Sequence, residues 1–435
     1  MPPQPPAPLS QLPVLIKGLL LACLAGALAG SASALFLWGL DQVTGLRESH
    51  RWLVFSLPVL GFVTAWVYLR WGQSVEPGIN LLIDEVQQEA QRPVPLRMAP
   101  LVLLSTWASH LGGASVGREG TAVQMGGALA DQLSQRLRLD PRERRLLLLA
   151  GISAGFASVF GTPLAGAVFA LELLVLGRLR HDALLVCTVA ALVGDQVCTA
   201  WGAHHTHYTL GPVAPLGVGS VLAVVLAAVL FGLVARGFAQ GTQWLGARFK
   251  QWVPDAPWRT ALGGAVLAVL FWWGGAWRYA GLGIPVLVEA FQQPLSPWDF
   301  VGKMGFTVFS LAAGFKGGEV TPLFYIGATL GNALAPWLHM PMGMMAALGF
   351  VAVFAGAANT PLACTLMAME VFGVEIGMYA LLACSISFRV SGWSGIYRSQ
   401  RVDPTPLGQD PSGWTLGQLS ARPPSPPAPP DRDAR

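Results

Sequence analysis

Gly78-Ile79-Asn80-Leu81-Leu82-Ile83-Asp84-Glu85-Val86-Gln87-Gln88 returns, with substitutions, as Gly283-Ile284-Pro285-Val286-Leu287-Val288-Glu289-Ala290-Phe291-Gln292-Gln293. The correspondence continues downstream. Glu119-Gly120-Thr121 recurs as Glu319-Val320-Thr321, and Thr162-Pro163-Leu164-Ala165 with Glu172 recurs as Thr360-Pro361-Leu362-Ala363 with Glu370. In a membrane chain such a duplication implies two inverted halves, with broken helices aiming their termini at a shared ion site near the bilayer midplane. The repeats are expected over about 15–202 and about 213–400.

Composition supplies the membrane. Of 435 residues, 53% are hydrophobic and only 11% charged, 51 are glycine, and the mean hydropathy is +0.52, values that fit an integral helical protein and no ordinary soluble one. The expected fold class is an all-α polytopic membrane protein, with its transport domain over 13–402. Residues 1–12 and the Pro-rich 403–435 are expected to be disordered tails. The net charge of +4 sits in short interhelical clusters, which reads as orientation signals and excludes a nucleic-acid partner. Cys23, Cys187, Cys198, Cys364 and Cys384 lie in apolar stretches without C-x-x-C spacing, so buried thiols are expected rather than a disulfide or metal site. No nucleophile elbow, phosphate-binding Lys loop or H-E-x-x-H pair is present, so neither an enzyme nor a cofactor is expected.

The apolar segments are uneven in length. Gly18 to Leu40 is long enough to span, and its small residues at Gly18, Ala22, Gly26, Gly30 and Ala34 form a helix-packing stripe. Ala32-Ser33-Ala34 also resembles a cleavage site, which leaves a signal peptide as the alternative. Roughly 52–69, 99–113, 183–201 and 213–235 are the other segments expected to cross. Residues 146–160 and 163–177 would each cover about 22 Å of a hydrocarbon core about 30 Å thick. Arg136, Arg138, Arg142, Arg144 and Arg145 precede this pair and Arg178 and Arg180 follow it, so the positive-inside bias predicts a hairpin turning at Gly161-Thr162-Pro163. The second copy, around Asn359-Thr360-Pro361, lacks those basic flanks, as inversion requires.

Gly117-Arg118-Glu119-Gly120-Thr121 is the sharpest local motif. Glycines let the backbone approach an ion, and amides at a helix N-terminus favour an anion. A carboxylate competes for those amides when ionised and frees them when protonated, which makes Glu119 a candidate gate and proton carrier. The alternatives are a Glu that caps its helix or a structural pair with Arg118. Asn80 either donates its amide to an anion or caps a helix, and Thr321 poses the same choice. Lys316 and Glu319 are candidates to pair with each other, and Glu172 and Glu370 for fold-stabilising hydrogen bonds. Tyr397 either points its phenol into a pore or sits in an interfacial belt. His204, His205 and His207 lie in a polar loop without acidic or cysteine neighbours in sequence, so no metal is expected there.

Taken together, these residues resemble the CLC superfamily of anion channels and anion/proton antiporters, over nearly all of residues 15–400. The match rests on Gly117-Arg118-Glu119-Gly120, the Gly78 segment, Gly317 to Pro322 and Tyr397, in the family's order. The resemblance implies an inverted-repeat bundle of about eighteen helices, many of them re-entrant or broken. It also implies a homodimer in the cell membrane with cytoplasmic termini. Its anion-binding positions fall on Ile79, Asn80, Gly117, Arg118, Gly120, Thr121, Val320, Thr321 and Tyr397, with Glu119 as gate. Chloride-type members usually carry Gly-Ser-Gly-Ile-Pro where this chain has Glu76-Pro77-Gly78-Ile79-Asn80. They carry Pro at Thr121 and an apolar-aromatic pair at Val320-Thr321. The departures look like the fluoride/proton antiporter branch, with fluoride or other halides and protons as cargo. A chloride/proton antiporter or passive chloride channel of the same fold is the alternative. The internal proton-transfer glutamate of many chloride exchangers falls at Leu173, so the proton must leave by another route.

Overall fold

The computed structural model describes residues 12–87, 93–176, 181–402 and 414–420. Eight helices form the first half: α1 (Leu12–Ser49), α2 (Leu57–Val67), α3 (Ile79–Gln87), α4 (Met98–Gly112), α5 (Glu119–Arg136), α6 (Pro141–Phe160), α7 (Pro163–Glu172) and α8 (Leu184–Ala200). The second half repeats them in order: α9 (Val218–Trp252), α10 (Ala256–Trp272), α11 (Ile284–Glu289), α12 (Asp299–Ala313), α13 (Val320–Leu338), α14 (Met342–Ala358), α15 (Pro361–Phe372) and α16 (Gly377–Ser391). A short α17 (Leu416–Ser420) follows, and β1 (Val175–Leu176) pairs in parallel with β2 (Arg401–Val402). Four helical stretches among the described residues are long and apolar enough to cross a membrane: Leu15–Ser49, Arg51–Gln87, Val218–Trp252 and Val374–Ser391.

Small residues set the packing, because without a hydrophobic drive between helices in lipid, association relies on close backbone approach. Along α1 the expected stripe lies against α8, with Gly26 on Ala190 and Gly30 on Gly194. Ser158 Oγ donates to Ser33 Oγ at 2.7 Å, so the Ala32-Ser33-Ala34 stretch lies inside a packed helix. The α5–α6 seam closes on Gly126 and Gly151, and the α13–α14 seam closes on Gly327 and Gly349. At each pair a side chain would meet the facing backbone.

Several segment boundaries differ from expectation. The helix expected over 146–160 begins at Pro141, because Asp140 Oδ1 accepts from the amides of Arg142 (2.8 Å) and Glu143 (2.9 Å) and starts it early. That brings Arg144 inside, where its Nε and Nη2 reach Asp131 at 2.5 and 3.1 Å, so this arginine is structural as well as an orientation signal. The run 163–177 is helical only to Glu172, and 213–235 is replaced by a helix that starts at Val218 and continues to Trp252. The tail expected over 403–435 contains a piece that folds back: Leu416 is buried, and the amides of Leu416 and Gly417 donate to Gln400 O and Arg398 O at 3.0 and 2.9 Å. Gln88, Arg178, Arg180, residues 1–11 and the rest of 403–435 lie outside the described residues.

Candidate functional site

The site grows from two loops. Helices α4 and α12 end at Gly113 (φ 93°) and Gly314 (φ 110°), left-handed positions that only glycine takes without strain, and each lets the chain turn sharply. The loops that follow meet where the two halves face each other. Gly117 N–H donates to Gly318 O at 2.5 Å, and Gly318 N–H returns to Gly117 O at 2.8 Å. Ser115 N–H ties the first loop to Ser310 Oγ on α12 at 3.1 Å. Helices α5 and α13 start immediately after this bridge, so their N-termini and unpaired amides converge.

Glu119, the first residue of α5, is fully buried there. Its Oε2 accepts from Thr321 N–H at 3.0 Å and Arg118 N–H at 3.2 Å, and its Oε1 accepts from the Thr321 hydroxyl. Arg118 Nε lies 3.5 Å from Oε1. The nest thus belongs largely to the opposite half. The Gly117–Gly318 bridge brings the Thr321 amide of α13 within reach of the carboxylate, while the Thr121 and Ala122 amides of α5 turn back onto Arg118 O.

Two cavities flank this carboxylate. One of about 450 Å³ is lined by the C-terminal part of α1, Arg118, His204, Arg278 and Gly283. The other, about 190 Å³, is lined by Tyr68, Gly78, Ile79, Asn80, Gly120, Gln124, Lys316, Glu319, Val320 and Tyr397. Lys17 at the opposite end of α1 pairs with Glu143 at 2.5 Å beside the arginine-rich start of α6, which the positive-inside bias assigns to the cytoplasm. On that bias the larger cavity is the outer one and the smaller the inner one. Arg118 lines the outer cavity, Gly120 lines the inner one, and Glu119 stands between them.

The other expected residues divide by role. Ile79, Asn80, Gly120, Val320 and Tyr397 meet at the inner cavity. Asn80 Oδ1 accepts from Ser399 N–H at 3.0 Å, and its Nδ2 reaches Pro77 O at 3.5 Å, so it does not cap α3. Tyr397 is buried, edge-on to Phe169 with ring centroids 6.4 Å apart. Gly117 is committed to the loop bridge, and the Thr121 hydroxyl to Thr106 Oγ1 at 2.7 Å. Glu319 and Lys316 do not pair: no hydrogen bond or ion pair is found for the Glu319 carboxylate among the described residues, and Lys316 Nζ sits 4.3 Å above the Tyr68 ring centroid. Tyr68 and Gln124 were not singled out by the sequence, since nothing local distinguishes them from neighbours on their helices.

Glu172 and Glu370 hold each other's half. Glu172 accepts from the amides of Leu362 and Ala363 at 3.1 and 2.9 Å, at the start of α15, and Glu370 accepts from Leu164 and Ala165, both at 2.8 Å, at the start of α7. Leu173 is fully buried. The histidines disperse: His204 lines the outer cavity, and His205 packs on Gly161 with Nε2 3.5 Å from Asp195, an acidic neighbour invisible in the local sequence.

Inverted halves around a buried carboxylate that separates two cavities define a membrane ion transporter. Residues 60–392 match the family model for voltage gated chloride channels, and the chain belongs to that family. It is 58% identical over 403 residues to the "Chloride/fluoride channel protein" of Pseudomonas syringae pv. tomato, covering 91% of this chain and 89% of that protein. It is 28% identical over 394 residues to the H(+)/Cl(-) exchange transporter ClcA of Cronobacter sakazakii, covering 81% of each. The crystal structure of a CLC-type fluoride/proton antiporter superposes with a TM-score of 0.86 at 35% identity, covering 89% of this chain and 98% of that one.

Proposed function

We propose that the protein is a fluoride/proton antiporter that exports fluoride across the cytoplasmic membrane, as a homodimer with one pathway per subunit. The observation that carries this reading is the Glu119 carboxylate seated on the Thr321 amide and hydroxyl between the two cavities. An anion entering that position needs the same donors. Ionised Glu119 and a bound anion therefore exclude one another, while protonation releases the donors, so proton and anion occupancy are thermodynamically coupled.

Fluoride fits the donors offered. It is small and strongly hydrated, and short charge-assisted hydrogen bonds from amides and hydroxyls are the groups able to replace its water. Thr321, the Asn80 amide and the Tyr397 phenol supply them around the inner cavity, with backbone at Ile79, Gly120 and Val320. The likeness to a fluoride/proton antiporter supports the same cargo. Two carboxylates line the inner cavity, the exposed Glu76 and the half-buried Glu319; with Leu173 apolar, Glu319, two residues before Thr321 in the chain, takes the proton between Glu119 and the cytoplasm.

Reconstitution tests the reading. In proteoliposomes read with a fluoride and a pH electrode, an imposed fluoride gradient is expected to drive protons uphill. Halide movement with no linked proton movement would instead make the protein a passive channel. Chloride driving protons as well as fluoride does would make it a chloride/proton exchanger.

A further inference from the structure

We infer that Lys316 captures the anion on the cytoplasmic side, acting as its counter-ion in the inner cavity before the anion reaches the Thr321 donors. This inference rests on the halide-transport reading above and extends it to a residue outside the gate.

The side chain is unusual in what it lacks. Lys316 lines the inner cavity, three residues before Glu319, yet no carboxylate pairs with it and no hydrogen-bond acceptor is found for it among the described residues. Its support is the face of Tyr68, 4.3 Å away, whose quadrupole attracts a cation without neutralising it. Of the charged groups that act on it, Glu76 comes first and is negative; it lines the same cavity but is exposed and forms no ion pair with Lys316, while Lys250 and Arg259 are positive. Two further cations, Lys250 and Arg259, acting on a half-buried ammonium are unfavourable unless an anion compensates, because a poorly solvated charge requires a partner. A second contrast sharpens the point. Lys303, buried in α12 behind the outer cavity, also lies over a tyrosine ring (Tyr325, 5.3 Å), but its ammonium is spent on Tyr279 O and Gly281 O at 3.0 and 2.6 Å. Lys303 fixes a loop, whereas Lys316 keeps its donors for the cavity. A positive charge at the narrow end of a low-dielectric vestibule concentrates anions there and raises their rate of entry.

The test is the initial rate of halide efflux from proteoliposomes as a function of trapped fluoride and, in parallel, trapped chloride, at low and high ionic strength set with an impermeant salt. Wild type, Lys316→Gln and Lys316→Arg are compared. Lys316→Gln is expected to raise the half-saturating halide concentration about three- to tenfold, and Lys316→Arg to stay near wild type. The maximal rate should hold within about twofold, since capture precedes turnover. Half-saturation of the wild type should rise with ionic strength and that of Lys316→Gln should change little. A salt-independent wild type overturns the inference even if the glutamine variant fails to fold. So does unchanged half-saturation in Lys316→Gln, or a rise that Lys316→Arg shares. If the wild type moves chloride and not fluoride, the fluoride reading falls, while the chloride curves still decide Lys316.

Discussion

Glu119 and Glu319 occupy the same place in the two halves, and the structure treats them oppositely. Each follows a glycine-rich loop at the start of a helix in inverted orientation. Glu119 is buried, held by the amide and hydroxyl of Thr321 and by Arg118, and it separates two cavities. Glu319 turns into the inner cavity with no partner among the described residues. Duplication supplied two carboxylates; the residues two positions on decide what each can do. Thr321 offers its hydroxyl to Glu119 across the interface, whereas the matching Thr121 hydroxyl is paired with Thr106 Oγ1 and not with Glu319. One carboxylate can thus gate, and the other is free to pick up and release protons from water.

The strongest way to break this comparison is to neutralise each carboxylate in turn. Glu119→Gln cannot become an anion, so it should abolish fluoride-driven proton movement altogether, whether turnover stops or an uncoupled leak remains. Proton flux against an imposed fluoride gradient in proteoliposomes is the measurement. Wild-type-like uphill pumping would end the gate assignment. Glu319→Gln should slow proton-coupled transport by about a hundredfold, the scale of a lost proton-transfer group, while leaving equilibrium fluoride binding near wild type. If binding weakens as much as rate, Glu319 belongs to the anion site and the division of labour fails.

A smaller effect is expected from the donors themselves. Thr321→Val removes the hydroxyl that holds Glu119 but keeps the amide, and Asn80→Ala removes a side-chain amide from the inner cavity. Losing one charge-assisted donor costs about 1.5–3 kcal/mol, so each should reduce the fluoride-over-chloride preference by about tenfold or more. Halide flux ratios at matched gradients report it. An Asn80→Ala protein with unaltered ratios would confine Asn80 to its bond with Ser399.

Much of this was legible from the chain, for a definite reason. Duplication preserves residues that only one conformation tolerates, so the turn glycines, the Thr-Pro breaks and the paired glutamates announced the repeat and the hairpins before any coordinates. What stayed hidden was every contact made across the two halves. That Glu119 would be held by Thr321 and not by its own helix depends on the Gly117–Gly318 bridge. Sequence has no term for how two inverted copies dock. The same holds for Lys316: its charge suggested a pair with Glu319 nearby, and only the packing of α2 against the second half places Tyr68 beneath it. The return of residues 414–420 was hidden differently, because a Pro-rich composition masked the single buried Leu416.

Glu172 and Glu370 offer the mildest test, and the one that asks whether symmetry of sequence means symmetry of energy. Both caps accept two amides at the start of the other half's helix, so by geometry alone their removal should cost the same. Their surroundings differ. Glu172 is 4% exposed and one of its bonds is fully buried, whereas Glu370 is half-buried and its bond to the Leu164 amide is exposed. Water can replace Glu370 at the orphan amides more readily than Glu172. Glu172→Ala is therefore expected to cost about 2 kcal/mol and Glu370→Ala about 1 kcal/mol, near the range for lost helix caps. The pair of midpoints for thermal unfolding in mild detergent gives the order. Equal losses would mean that the two halves share one mechanical joint whose cost is set by geometry. A larger loss at Glu370 would show that burial is not what distinguishes these caps.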